Sequence, residues 1–329
     1  MLIEKSCVIP ENLNNFRLDA AAAALFPDYS RTKIQGWIES GELLLDQQEA
    51  RTRDKVKTGQ QIDLSAELLD LTHDLPENLE LNIIFEDDFL LIINKPAGLV
   101  IHPAAGNLSG TLLNGLLYHY PSSASLPRAG IIHRLDKDTS GLLIIAKTLE
   151  SQLKLSNMIK NREISRRYLA LLNGCLNRNL IINAPIGRHR GDRTKMAVLA
   201  KGLGKEALTY CQILKNYSNH TLIEAKLETG RTHQIRVHLA YQKFPLLGDP
   251  LYSQRTFLPK KADPDNPLHQ GPLDIIKNFS RQALCAYALE FSHPITGEIL
   301  SFKIQIPEDF KAVLNSLDYF ESRGINNPK

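Results

Sequence analysis

No stretch of this chain approaches the roughly 18 consecutive apolar residues that a membrane helix needs. The run Ala20 to Phe26 is seven residues long, and no unbroken apolar run is longer. No basic segment followed by an apolar stretch and a small-residue cleavage site opens the sequence, so export is not expected. The four cysteines (Cys7, Cys175, Cys211, Cys285) lie far apart, with no CxxC pair and no histidine at ligand spacing. That argues against structural zinc and against a disulfide framework, and makes a reducing cytoplasm the expected location. The GxxxxGK[ST] cradle, a GxGxxG after a strand, the GxSxG elbow and the HxE with PCxxC deaminase signature are all missing. His233 and His238 are five apart without a glutamate at ligand spacing, so they do not read as a zinc pair. What survives is a site without metal or cofactor, built from a carboxylate, arginines and a tyrosine.

What is present is enough apolar material for a large core. The 329 residues are 43% hydrophobic and 23% charged, near the globular average, and the length suggests two domains. The net charge of +3 is unevenly spread: residues 64 to 94 hold eight acids and no lysine or arginine, leaving +11 on the rest. Basic residues concentrate at 51 to 57 (Arg51, Arg53, Lys55, Lys57), at 154 to 167, and at 187 to 205 (Arg188, Arg190, Arg193, Lys195 among them). Clusters of this kind suit either a solvated surface or the backbone of a nucleic acid.

Residues 14 to 64 read as two short helices followed by strands. The first helix carries Ala20 to Ala24 and stops at Pro27; the second starts at a Ser30 N-cap and buries Ile34, Trp37 and Ile38. A short strand at Leu43 to Leu45 and a basic strand leading to Gly59 and Ile62 complete this unit. The acidic stretch after Leu64, with Pro76, reads as a linker. Beyond Leu81, strands and scattered helices continue without the regular alternation of βαβ units, which points to an α+β domain with mostly antiparallel pairing. The end after Tyr319 reads as frayed.

Two constellations could carry chemistry. In IIHRLDKDTSGLLIIAK, at 131 to 147, apolar runs read as strands on either side of a polar loop, a rigid place to present a carboxylate. From spacing alone, Asp136 and Asp138 are better explained as an Asx-stabilised turn than as a catalytic pair. In ETGRTHQIRVHL, at 228 to 239, Thr232 suits a helix N-cap and places His233 and Arg236 on one helical face. For each histidine a structural hydrogen bond is the plainer reading.

These two segments resemble the signatures of the pseudouridine synthases that modify large-subunit rRNA. NKPAGLVIHP at 94 to 103 and RRYLALLNG at 166 to 174 resemble further landmarks of that family, in the same order. FPDYSRTKIQGWI at 26 to 38 is similar to the S4-like RNA-binding domain of many members. The resemblance implies an S4-like domain over 14–75 with the acidic linker at its end, and a catalytic domain over 80–318 with a mostly antiparallel mixed sheet and flanking helices. It implies Asp136 as the essential aspartate, Tyr168 as the active-site tyrosine, and Arg236 as the arginine pairing with the aspartate. Arg134 would be the residue that fills the stack when the target uridine leaves it.

FPDYSR, HPAAGN, RAGIIHRLDKDT, RQAL and HPITG are similar to one large-subunit subtype, whose substrate is the loop of helix 69 in 23S rRNA; a related subtype acting at other 23S positions is the alternative. The expected partner is therefore 23S rRNA or a large-subunit precursor, for a monomer that needs no cofactor, membrane or protein partner. An rRNA-binding assembly factor with a decayed site would explain the basic clusters. It would not need Asp136, Tyr168 and Arg236 together.

Overall fold

The acidic segment falls at the junction of two units, Met1–His73 and Asp74–Lys329, in a computed structural model that describes residues 2–27, 29, 31–67, 75–104 and 106–322. The small unit runs β1 (Leu2–Val8), α1 (Leu18–Leu25), α2 (Arg31–Glu39), β2 (Leu43–Leu45), β3 (Gln61–Glu67), with β3 central in an antiparallel sheet. Ala21 and Ala22 of α1 are small enough for Ile34 and Trp37 of α2 to approach, and both helices bury these residues with Leu43, Ile62 and Leu64. Asp19, fully buried, ties the helices together by accepting hydrogen bonds from Arg17, Arg31 and Gln35.

Two expectations need correcting here. Strand β1 belongs to this unit, although residues 2–8 precede the expected start at residue 14. Residues 51–57 are not a strand. Asp54 closes a turn onto the Arg51 N–H (2.8 Å), and the Val56 N–H and C=O pair with Phe16 and Asn15 instead of a sheet neighbour. Ser30, the expected N-cap, lies outside the described residues.

The large unit contains β4 (Ile83–Glu86), β5 (Leu90–Lys95), α3 (Leu112–His119), β6 (Ser140–Ala146), α4 (Leu149–Lys160), β7 (Ser165–Asn173), β8 (Leu180–Asn183), β9 (Ile186–Arg188) and β10 (Met196–Val198). There follow β11 (Leu208–Asn216), β12 (His220–Leu227), α5 (Gln234–Tyr241), α6 (Pro267–Lys277), β13 (Leu284–Ser292), β14 (Ile299–Lys303) and α7 (Glu308–Ser322). Nine strands form one sheet in the order β4-β5-β6-β13-β7-β12-β11-β8, with β14 also on β13; β9 and β10 make a separate hairpin. The fold is mixed α+β, and β6 with β13 is the one parallel pair among the described residues.

Alternation on the buried strands explains the layers. Leu91, Ile93, Leu143 and Ile145 enter one core with Tyr168, whereas Leu90, Ile92, Leu142 and Ile144 enter another with Leu155 of α4.

Other readings also change. Residues 75–79 are anchored rather than a free linker: the Leu75 C=O accepts from Asn114 of α3, and the Glu77 carboxylate accepts the Gly110 N–H (3.0 Å) just before that helix. Ile131 forms only an isolated bridge to Ile145, because Pro127–Gly130 turns the chain immediately before it. Helix α7 does not fray at Tyr319 but reaches Ser322, since Phe320 is buried.

The parallel junction fixes where the polar loop leaves the sheet. Ser140 and Gly141 pair with Cys285 and Ala286 there, and a Cβ on Gly141, whose φ is +119°, would come within 2.3 Å of the Ala286 carbonyl oxygen. Gly141→Ala should therefore destabilise the protein by about 2–4 kcal/mol, combining backbone strain with overpacking. Its urea midpoint reads this directly; a midpoint equal to wild type would show that the two strands can move apart.

Candidate active site

Residues His133 to Thr139 cross from the 127–130 turn to β6, and this loop is braced from two sides. On one side Lys95, at the end of β5 and 1% exposed, donates to the carbonyls of Pro96, Leu99 and Lys137 (2.7, 2.9 and 2.9 Å). The Gly98 N–H also reaches the Lys137 carbonyl. Burial pulls the Lys95 ammonium down to about 7, opposed by the charges of Asp138 and Asp136. On the other side Arg281 donates to the Asp138 carbonyl and Gln282 to the Thr139 hydroxyl (3.2 and 3.0 Å). The turn itself is closed by the Thr139 N–H on the Asp136 carbonyl (3.1 Å). The expected Asx turn is thus a main-chain turn, which leaves the Asp136 carboxylate free to face Arg236.

The facing helix starts in an unexpected way. Its N-cap is His233, in the left-handed region at φ 56°, not Thr232. The turn before it is closed by Gln234, whose side-chain oxygen accepts from the Arg231 N–H and the Thr229 hydroxyl (3.0 and 2.7 Å). Arg236 is 4% exposed and holds two carboxylates. Its Nη1 donates to Asp136 Oδ2 at 3.0 Å, while Nε and Nη2 make a two-pronged bond to Asp249 at 2.7 and 2.8 Å.

Asp249 also accepts the Leu251 and Tyr252 N–H groups (2.9 and 3.1 Å), and the Tyr252 ring stacks under the guanidinium. Burial works against the charge of Arg236, but Asp249 and then Asp136 hold its pKa above the usual arginine value. His233 Nε2 is 3.9 Å from Asp136, and its Nδ1 is 2.8 Å from the Tyr252 hydroxyl. Burial lowers the His233 pKa despite the nearby Asp136. His238 is satisfied structurally by Thr209 and the Ala184 carbonyl.

Tyr168 projects from β7, between Ala225 of β12 and Ala286 of β13, and is 5% exposed. Burial pushes its hydroxyl above the ordinary value, so it is a neutral phenol near pH 7. Asp136, Tyr168, Arg236 and the exposed Arg134 all line one cleft of about 890 Å³. Eight lysine and arginine side chains line it against two carboxylates, those of Asp136 and Glu228, a balance that suits a polyanion. Arg188, Arg190, Arg193 and Lys195 stand outside it on the β9–β10 hairpin, where Lys195 faces Asp192 (3.8 Å). Tyr252 accepts the Met196 N–H (2.8 Å) and so ties that hairpin to Arg236. Arg51, Arg53, Lys55 and Lys57 are exposed on the small unit.

Asp249, Lys95, His133 and Arg166 also belong to the site or its supports, and residue spacing had singled out none of them. The signal for Asp249 was slight: a GDP turn 13 residues past Arg236. No group of three or more histidine, cysteine or acidic side chains that could hold a metal occurs among the described residues, and no helix among them is long and apolar enough to cross a membrane.

His133 gives the site a pH signature. Its Nε2 accepts the Ile144 N–H (3.1 Å), and burial, followed by the Arg166 charge, drives its pKa down from 6.5 to about 3. The unfolded chain therefore takes up a proton that the folded one refuses between these values. Stability should rise with pH across that window and be fully present above about 6.5. In urea melts at pH 7 and pH 5, His133→Gln should narrow the wild-type difference in unfolding free energy by about 1–2 kcal/mol. An unchanged difference would mean that this ring is not the titrating group.

The model of the family described as RNA pseudouridylate synthase matches residues 89–241. The Ribosomal large subunit pseudouridine synthase D of Pseudomonas aeruginosa is 46% identical over 316 residues, covering 96% of this chain and 96% of that protein. The protein of the same name from Haemophilus influenzae is 45% identical over 317 residues, 95% of each chain. The one from Xanthomonas campestris is 44% identical over 313 residues, 95% of this chain and 92% of its own. Among solved structures, Human RNA Pseudouridylate Synthase Domain Containing 4 superposes with a TM-score of 0.55 at 24% identity, covering 72% of this chain and 93% of that one, a likeness of fold. With near full-length relatives at this identity, and the braced aspartate loop inside the matched segment, the chain belongs to the RNA pseudouridylate synthase family and is an isomerase.

Proposed function

We propose that this enzyme converts uridines of large-subunit rRNA to pseudouridine, at the loop of helix 69 in 23S rRNA, with Asp136, Tyr168 and Arg236 as its reactive centre. The observation that carries the reading is the Asp136–Arg236 pair, 3.0 Å apart in a cleft whose charged lining is mostly basic. The names of the relatives, all large-subunit enzymes, support the rRNA class.

The reaction breaks the N1–C1′ bond of uridine, turns the base and joins C5 to C1′; C5 then loses its proton and N1 gains one, so the atoms balance with no net redox change. A stacked uridine hides its sugar, so the nucleotide must leave the stack, and Arg134 takes its place there. Positive character then builds on the sugar. An ionised Asp136 either meets it at C1′ or removes the C2′ proton, and both routes need the anion that Arg236 orients. Tyr168, protonated by virtue of its burial, serves as a stacking surface for the base rather than as a phenolate. Mapping pseudouridine in rRNA from cells with and without this protein tests the target. Loss confined to helix 69 is expected; loss at other 23S positions, or none, would displace it.

The small unit, read as an S4-like domain, captures RNA through Arg51, Arg53, Lys55 and Lys57. Deleting residues 1–73, which spares the Leu75 and Glu77 anchors, should raise the KM for structured rRNA and leave measurable turnover at saturation. It should also reduce the salt slope of binding by about 3–4 if all four basic side chains meet phosphates. A folded truncation with wild-type affinity at every salt concentration would remove this role.

A further inference from the structure

Arg166 lies on β7 two residues before Tyr168, so both side chains leave the same face of the strand, and both line the cleft. It is only 5% exposed, yet its buried Nε has no hydrogen-bond partner. The acids on neighbouring strands are engaged elsewhere: Glu290 of β13 faces Arg167 at 3.7 Å, and Glu228, just past β12, faces Lys226 at 3.9 Å. Buried arginines are ordinarily paired, because an uncompensated charge out of water is costly. A guanidinium left in this condition at the wall of a substrate cleft is suited to a counter-ion that arrives with the substrate.

Two neighbours strengthen the case. His133 accepts a main-chain N–H at Nε2, which places its ring proton on Nδ1, and that atom is buried without a partner at the same cleft. A Cβ on Gly230 would stand 2.9 Å from Arg166 Nη1, so the chain gives up a side chain where this guanidinium sits.

We propose that Arg166, with the Nδ1–H of His133, is a phosphate subsite that grips the phosphodiester adjoining the flipped uridine. The identity of the anion rests on the RNA reading above. A planar guanidinium matches phosphate in two-pronged fashion, whereas a neutral uracil carbonyl would leave its charge uncompensated. With the base on Tyr168 and the phosphate on Arg166, about 7 Å apart along the strand, the flipped nucleotide is held at both ends.

The test uses the full chain, an unmodified helix 69 stem-loop, and the same stem-loop with a neutral methylphosphonate on either side of the target uridine. Arg166→Met should weaken binding about tenfold and lower the salt slope by about 0.7–0.9, the value for one lost phosphate contact. Arg166→Lys should keep the slope. One methylphosphonate should weaken wild-type binding by a similar factor and leave Arg166→Met indifferent. Arg166→Met binding with the wild-type salt slope, or a wild type insensitive to both methylphosphonates, would overturn the proposal. If Arg166→Met fails to fold by circular dichroism, Arg166→Lys and the wild-type methylphosphonate measurements decide alone. Conversion of the stem-loop is scored separately. A wild type that does not convert it loses the helix 69 target, and the salt slopes on full-length 23S rRNA transcript then decide the role of Arg166.

Discussion

Asp136→Asn is expected to abolish pseudouridine formation while fold and RNA affinity survive. The amide is nearly isosteric, and its oxygen can still accept the Arg236 Nη1–H now given to Oδ2 at 3.0 Å. Arg236 keeps its charge balance through Asp249, which it holds at 2.7 and 2.8 Å, so stability should change by no more than about 1 kcal/mol. What the amide cannot supply is the anion that the developing positive sugar, or the C2′ proton, requires. Single-turnover conversion should fall by at least about a thousandfold. Measurable turnover by Asp136→Asn, prepared from cells lacking the wild-type gene, would take Asp136 out of this role. A parallel loss of RNA binding would instead make it a folding or docking residue.

How much of this site was legible in the sequence follows from the range of the interactions. HRLD and the helix carrying Arg236 stand out because each is a short, continuous run, and the α+β character follows from local pattern. The supports were not legible in the same way. Lys95 reaches across 42 residues to the Lys137 carbonyl, and a carbonyl acceptor leaves no trace in side-chain identity. Thr232 looked like the N-cap by residue type, but Gln234 satisfies the free groups of that turn, and His233 accepts a left-handed backbone. The acidic stretch read as linker by composition, although Glu77 is fixed by one main-chain donor near α3. Arg166 was visible as one charge in a cluster and as the first residue of RRYLALLNG; that it is buried and Lys154 is not depends on the strand and helix to which each belongs.

Asp249 should prove the most costly of these supports to remove. Its side chain is fully buried and supplies two of the three carboxylate bonds made by Arg236, and it also caps the Leu251 and Tyr252 N–H groups. Asp249→Ala leaves a buried guanidinium sharing its charge with Asp136 alone, a defect of about 3–5 kcal/mol. For a unit of this size each kcal/mol is roughly 2–4 °C of Tm, so the fall should be of order 10 °C. Asp249→Asn, which keeps an oxygen acceptor, should lose less. The two carboxylates compensate one charge, so their removals should not add. Asp136→Asn is nearly neutral while Asp249 is present, but in the Asp249→Ala background it strips Arg236 of its last anion and should cost at least about 1 kcal/mol more. Urea unfolding of the four proteins in this cycle measures that difference; an equal cost of Asp136→Asn in both backgrounds would show that Asp249 holds the fold without sharing the charge of Arg236.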